Sequence, residues 1–63
     1  MNIGENVRKK RIACRLTQQQ LAEIVGVAAA TICQIERGTK TLSMPLGKQI
    51  ADVLNCTLDN LIE

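Results

Sequence analysis

The chain has 63 residues, three cysteines and no Phe, Tyr, Trp or His. So short a chain forms one domain, residues 1–63, and its aliphatic interior favours packed helices over strands. The odd number of cysteines, the lack of Cys-x-x-Cys spacing and the lack of His support neither a zinc site nor a disulfide framework. No apolar run approaches the ~20 residues of a membrane span. The net charge is +2, but five of the eight cations lie in residues 8–15, which predicts one basic end or a solvated helix face.

Two helices are predicted in the first half of the chain. The first runs from Asn2 to about Cys14, because apolar residues recur near helical spacing, namely Ile3, Val7 and Ile12. A second helix begins at Thr17, which forms a capping box with Gln20 three residues later, and Gly26 ends it. Its apolar face consists of Leu21, Ile24 and Val25.

Three further helices are predicted after Gly26. The third runs from Ala28 to Arg37 and is ended by Gly38; its inward side consists of Thr31, Ile32 and Ile35. The fourth begins at Ser43 or Met44, is weakened at Gly47 and ends at Asn55; its apolar residues are Leu46, Ile50, Val53 and Leu54. A short fifth helix follows Thr57, and we expect three of its residues to cover the core: Leu58, Leu61 and Ile62.

The second and third helices have the spacing of a helix-turn-helix. Ala22 is small where the third helix must cross closely, Gly26 supplies a positive φ, and Val27 fills the corner between the helices. Each match alone is weak, but seven positions agree together: Gln18, Leu21, Ala22, Gly26, Val27, Ile32 and Ile35.

The segments LTQQQLAEIVGV, TICQIERG and LNCTLDNLI resemble the Cro and phage-repressor class of helix-turn-helix regulators, also called xenobiotic-response-element-like regulators. The resemblance covers residues 7–62. It implies an all-α, five-helix, lambda-repressor-like domain that binds double-stranded DNA and regulates transcription as a repressor. It also implies that the recognition helix, Ala28–Arg37, lies in the major groove.

The resemblance also assigns roles to individual residues. By that match Ala29, Ala30 and Gln34 face base edges, and Cys33, one turn after Ala29, is expected from its helical position to face the groove with them. Those expected to contact phosphates are Thr17, Gln18, Ala28, Arg37, Thr39, Lys40 and Thr41. Arg11 and Glu36 are expected to form a structural ion pair. No metal or other cofactor is implied.

Several residues depart from the family pattern. Polar side chains are common in the family where this chain has Ala28, Ala29 and Ala30, so we expect Gln34 to be the main direct reader of sequence. Arg15 stands where a glycine usually ends the first helix, which implies either a left-handed arginine or a different helix end. Cys33 is interpreted either as a redox switch or, more simply, as a small residue close to the DNA backbone.

Other functions are weighed against DNA binding. No general base accompanies the hydroxyl and thiol groups at a recognisable spacing, which argues against an enzyme, and the absence of aromatics argues against binding to single strands. A protein-interaction module, such as an antitoxin or a partner of another regulator, stays open as the alternative use of the same helix face. We expect a cytoplasmic protein in which Cys14 and Cys56 are packed, reduced thiols. We also expect a homodimer that uses the fifth helix and the end of the fourth.

Overall fold

The computed structural model describes residues 2–62, which form five helices and, within that range, no strand. The helices are α1 (Ile3–Ala13), α2 (Gln18–Val25), α3 (Ala29–Arg37), α4 (Met44–Val53) and α5 (Leu58–Ile62). The all-α, five-helix prediction is confirmed. The third helix starts one residue later than predicted, because Ala28 has an extended backbone and serves as its N-cap.

Side-chain caps begin several helices where the sequence predicts them. At α2, Thr17 Oγ1 accepts the Gln20 N–H at 3.0 Å, and Gln20 Oε1 accepts the Thr17 N–H at 2.9 Å, which completes the capping box. Ser43 Oγ accepts a backbone N–H from the first turn of α4 at 3.4 Å. Thr57 Oγ1 accepts the Asn60 N–H at 3.2 Å. Each cap satisfies an N–H group that has no partner inside its helix.

Left-handed residues end the first four helices or directly follow them. Gly26 and Gly38, with φ values of 78° and 82°, end α2 and α3 as predicted. Asn55 after α4 has a φ of 56°, also as predicted. Arg15 after α1 has a φ of 59°, so the chain keeps the left-handed turn without the usual glycine. That conformation costs a non-glycine residue on the order of 1 kcal/mol.

The core of residues 2–62 contains aliphatic side chains from all five helices. Its fully buried members are Val7, Leu21, Ala22, Ile32, Ile35, Ile50, Ala51, Leu54 and Leu61. Ala22 is 1% exposed, as expected for a small residue between two crossing helices. Through this core α1 and α2 pack against α3, and the outward side of α3 is left open.

Four residues predicted to be packed lie on the surface instead. They are Ile12, Ile24 and Ile62, with exposures of 53%, 57% and 37%, and Cys14. Arg11, not Ile12, lies one turn after the buried Val7, so Ile12 points away from the core. The inner face of α2 is formed by Leu21 and Ala22 with the half-buried Val25, which leaves Ile24 beyond its edge. Cys14 follows the end of α1.

Two buried glycines allow helices to approach closely. A Cβ atom at Gly4 would contact the Ile35 carbonyl oxygen and would lie 2.6 Å from the Glu36 carbonyl oxygen. A Cβ atom at Gly47 would lie 2.9 Å from Leu58 Cδ1, which is the end of a flexible side chain. Gly4 therefore brings the start of α1 against the backbone of α3. Gly47, predicted only to weaken α4, lies where α5 packs against that helix.

We predict that Gly4→Ala lowers the free energy of unfolding by about 1–3 kcal/mol, because the added methyl group meets backbone atoms that cannot rotate away. Gly47→Ala is the matched control, since Leu58 can move and alanine favours the helix by up to about 1 kcal/mol. Urea unfolding followed by circular dichroism measures both. Equal effects at the two positions would contradict the proposed packing of α1 on α3.

Candidate nucleic-acid interface

The two sides of α3 have different environments. Ile32 and Ile35 are buried, and Ala29, three residues before Ile32, is half-buried against the core. The opposite side, which we call the outer face of α3, consists of residues at i, i+3, i+4 and i+7: Ala30, Cys33, Gln34 and Arg37. Three of them are exposed and Cys33 is half-buried. Of the four predicted base-contact residues, Ala29 is therefore the one that lies on the inner side.

The first turns of α2 and α3 leave backbone N–H groups open. Ala28 makes no side-chain cap, and its carbonyl oxygen accepts only the Thr31 N–H, at 2.9 Å. Among the hydrogen bonds of residues 2–62, no acceptor is found for the N–H groups of Ala29 and Ala30, nor for those of Gln18 and Gln19. Such groups, at the positive end of a helix dipole, favour negatively charged partners.

A recess lies between α1, the start of α2 and α3. We call it the arginine recess; it is lined by Arg8, Arg11, Gln18, Cys33, Glu36 and Arg37. It contains three cationic side chains and one anionic side chain, so its formal charge is positive. Cys33 and Arg37 belong to both the recess and the outer face of α3, which makes the two surfaces continuous. Arg8, which lies one turn before Arg11 in the basic run, is not among the site residues predicted from the sequence.

Glu36 is bound deep within this recess. Its side chain is 4% exposed, and that of Arg11 is 11% exposed. Arg11 Nε donates to Glu36 Oε2 at 2.6 Å, and Arg11 Nη2 donates to Oε1 at 3.1 Å, so the expected ion pair is present and bidentate. Arg11 Nη1 also donates to the Leu16 carbonyl oxygen at 2.8 Å. The pair connects α1, the α1–α2 connection and α3.

Three of the residues predicted to contact phosphate have side chains already engaged within the protein. Gln18 Nε2 donates one of its two hydrogens to Glu36 Oε1 at 3.0 Å, which holds this side chain against the recess, and the Gln18 backbone N–H stays open to a ligand. The Thr17 hydroxyl belongs to the capping box. Thr39 Oγ1 donates to the Gln34 carbonyl oxygen at 3.2 Å and fixes the turn after α3. These side chains position the backbone around the recess.

The other predicted phosphate contacts are accessible. Arg37 is exposed at the end of α3, and Lys40 and Thr41 are exposed in the loop that follows. Ala28 is exposed at the uncapped start of α3.

Within residues 2–62, no helix is long and apolar enough to cross a membrane. The same residues contain no cluster of three or more His, Cys, Asp or Glu side chains that could hold a metal ion.

Comparisons with known proteins agree on one family. The helix-turn-helix family model (HTH_3) matches residues 7–61. The HTH-type transcriptional regulator RghRB of Bacillus subtilis (strain 168), itself uncharacterized, is 38% identical over 60 residues, which are 94% of this chain and 43% of RghRB. The chain thus spans less than half the length of that relative.

Solved structures have the same fold. The DNA-binding domain of the P22 c2 repressor superposes with a TM-score of 0.93 at 27% identity, over 98% of this chain and 82% of that domain. SinR, a master regulator for biofilm formation solved in complex with DNA, superposes with a TM-score of 0.91 at 26% identity. That match covers 97% of this chain and 98% of the SinR chain.

We predict that Arg11→Met lowers the free energy of unfolding by about 3 kcal/mol or more, because it leaves a buried carboxylate without its cation. Arg8→Met is the matched control; Arg8 is exposed, so its loss changes stability by about 0.5 kcal/mol or less. The double variant Arg11→Met/Glu36→Met removes both charges and is expected to be more stable than Arg11→Met alone. Urea unfolding measures all three, and an Arg11→Met variant as stable as Arg8→Met would show that the pair does not stabilise the fold.

Proposed function

The chain belongs to the helix-turn-helix family, and we propose that it is a sequence-specific transcriptional regulator, a repressor, that binds double-stranded DNA with α3 in the major groove. One observation carries the proposal: the open outer face of α3 is continuous with a positively charged recess beside an open helix start. An α-helix fits the major groove, and cations and free N–H groups at its sides bind the phosphates. SinR, which has the same fold, was solved in complex with DNA, and this similarity supports DNA as the partner.

The phosphate contacts are proposed on both sides of α3. The N–H groups of Gln18 and Gln19 at the start of α2 are suited to bind one phosphate oxygen, as helix starts bind anions. Arg37 continues the outer face toward the following loop, where Lys40 is exposed. Arg8 adds a cation on the α1 side of the arginine recess. Because Arg11 neutralises Glu36, these cations face the phosphates without a competing free carboxylate in the recess.

Direct reading of bases is proposed to depend mainly on Gln34. It is exposed in the middle of the outer face, and a glutamine amide pairs with the N6 and N7 edge of adenine. Ala30 offers only a methyl group, which suits the methyl group of thymine. Ala29 is turned toward the core, so its contribution is limited to its N–H group and part of its methyl. The remaining specificity is then expected from DNA shape.

We propose that the protein binds DNA as a homodimer through α5 and the start of α4. Met44 is 68% exposed and Ile62 is 37% exposed, and both line a shallow apolar groove together with Ile3, Leu42 and Leu58. The end of α4, which the sequence indicated, offers less, because Leu54 is buried. A two-fold pair would read half-sites roughly 34 Å apart. Sedimentation that finds only monomer, both free and on a duplex with two half-sites, would exclude the dimer.

We also propose that the protein is cytoplasmic and that it binds DNA without an enzymatic step, a metal or another cofactor. Its rival is a protein-interaction module that uses the outer face of α3 against a partner helix. The two functions differ in their response to salt. Phosphate contacts release counterions when they form, whereas an apolar helix contact does not.

We predict that the protein binds mixed-sequence duplex DNA at low salt, and that its affinity falls at least tenfold between about 50 and 200 mM salt because several phosphate contacts are lost. Fluorescence anisotropy with a labelled duplex measures the slope of log Kd against log salt. Arg37→Gln is expected to reduce that slope by about 1.

Lys10→Gln is the control for that slope, because it removes the same charge from a side of α1 that lies near Cys56 and outside the arginine recess. The slope is expected to stay as in the wild type. No binding at low salt would exclude the regulator function and favour the interaction module. Equal effects of the two substitutions would contradict the placement of the interface.

We predict that Gln34→Ala weakens the preference for adenine at one position of each half-site, because the bidentate contact provides about 1–3 kcal/mol of discrimination. Selection of bound duplexes from a random pool, carried out with wild type and variant, measures the preference position by position. Gln49→Ala on α4 is the matched control, an exposed glutamine outside the recess and the outer face of α3. An unchanged selected sequence for Gln34→Ala would show that Gln34 does not read the DNA.

A further inference from the structure

Two cysteines far apart in the sequence lie at one seam of the fold. Cys14 forms the C-cap of α1, and its Sγ lies 3.7 Å from the Leu54 carbonyl oxygen at the end of α4. Cys56 follows Leu54 by two residues, and its N–H donates to the Ala51 carbonyl oxygen at 2.9 Å. The Cys14 side chain therefore contacts the segment that carries Cys56. The fold therefore brings together the end of α1 and the turn between α4 and α5.

Both thiols are free, and neither has a part in the DNA interface. Cys14 is exposed and Cys56 is half-buried, and both lie outside the arginine recess and the outer face of α3. Asn55, between Leu54 and Cys56, is exposed and left-handed. A disulfide requires a Cα separation of about 4.4–6.8 Å, and the contact of Cys14 with Leu54 places Cys14 beside the segment that carries Cys56. The fold thus places two free thiols on adjoining segments, of which Cys56 also packs against the core.

We propose that Cys14 and Cys56 are an oxidation site, at which a hydroperoxide converts the two thiols into an intramolecular disulfide that joins α1 to the α4–α5 turn. This inference does not rest on the proposed DNA-binding function. It assigns a chemical role to two residues that the sequence pattern indicated only as small packed side chains.

The reaction has two balanced steps. The Cys14 thiolate attacks one peroxide oxygen and the O–O bond breaks, which gives a sulfenic acid and, after protonation, water or an alcohol. The Cys56 sulfur then attacks the sulfenic sulfur, the S–S bond forms, and the second oxygen leaves as water. Two thiols are oxidised by two electrons, and one hydroperoxide is reduced. Burial raises the pKa of the Cys56 thiol, against the opposing effect of Lys10, so the exposed Cys14 is the first nucleophile.

The bond closes most of the chain into one loop. A cross-link between distant residues reduces the freedom of the unfolded chain, and longer loops are affected more. For a domain of this size the expected rise in Tm is roughly 10 °C or more. Oxidation would then stabilise the fold and hold the end of α1 in place beside the connection to α2.

The test treats the folded wild-type chain with about one equivalent of hydrogen peroxide. We expect intact mass to fall by two hydrogens, free thiols to fall from three to one, and peptide mapping to identify a Cys14–Cys56 disulfide. The Tm should rise by roughly 10 °C or more and return to its starting value after the disulfide is reduced. The same treatment in urea should give mixed pairings, because only the fold selects this pair.

Two variants separate this site from the third cysteine. After peroxide treatment, the Cys33→Ser variant should still lose two free thiols and show the same rise in Tm. The Cys56→Ser variant should form no intramolecular disulfide, and its Tm should not rise. Oxidation of Cys33 alone, cross-linking between chains in place of the internal bond, or a disulfide that leaves Tm unchanged would each overturn the proposal.

Discussion

The buried carboxylate of Glu36 is the constraint on which the arrangement of the first three helices depends. The Glu36 side chain is 4% exposed, so its charge destabilises the fold unless hydrogen bonds and an opposite charge compensate for the lost water. Arg11 supplies two donors from α1, and Gln18 supplies one from the start of α2. Since the third guanidinium nitrogen of Arg11, Nη1, donates to the Leu16 carbonyl oxygen, the connection between α1 and α2 is fixed by the same side chain. One side chain thus sets the position of three segments.

The same constraint positions the proposed DNA interface. Glu36 lies between Ile35, which is buried in the core, and Arg37, which is exposed on the outer face of α3. When Glu36 is held, the rotation of α3 about its axis is held, and Gln34 and Arg37 keep their outward direction. Gln18 is also held, so the open N–H groups at the start of α2 stay beside the recess. We therefore regard the ion pair as a positioning element that has no contact with bases of its own.

Local patterns in the sequence predicted most of the helix ends, whereas of the contacts between distant segments the Arg11–Glu36 pair was expected only through the family resemblance. Caps and left-handed turns were predictable because each depends on a few neighbouring residues, as at Thr17, Gly26 and Asn55. The exposure of Ile24 was missed because it lies three residues after the buried Leu21, and that of Ile12 because it lies only one residue beyond a full turn after Val7. Only packing decides where a helix face ends. Gly4 was missed because its role depends on the backbone of α3. The Cys14–Cys56 proximity likewise depends on how α1 meets the α4–α5 turn.

Amide chemical shifts of isotope-labelled protein, followed by NMR during titration with duplex DNA, measure most directly whether α3 and its neighbours form the interface. The largest changes are expected at the starts of α2 and α3, at Gln34 and at Lys40. Small changes are expected in the α4–α5 turn around Asn55 and Thr57. Changes concentrated in that turn, or none at DNA concentrations that saturate binding, would contradict the placement of DNA against α3.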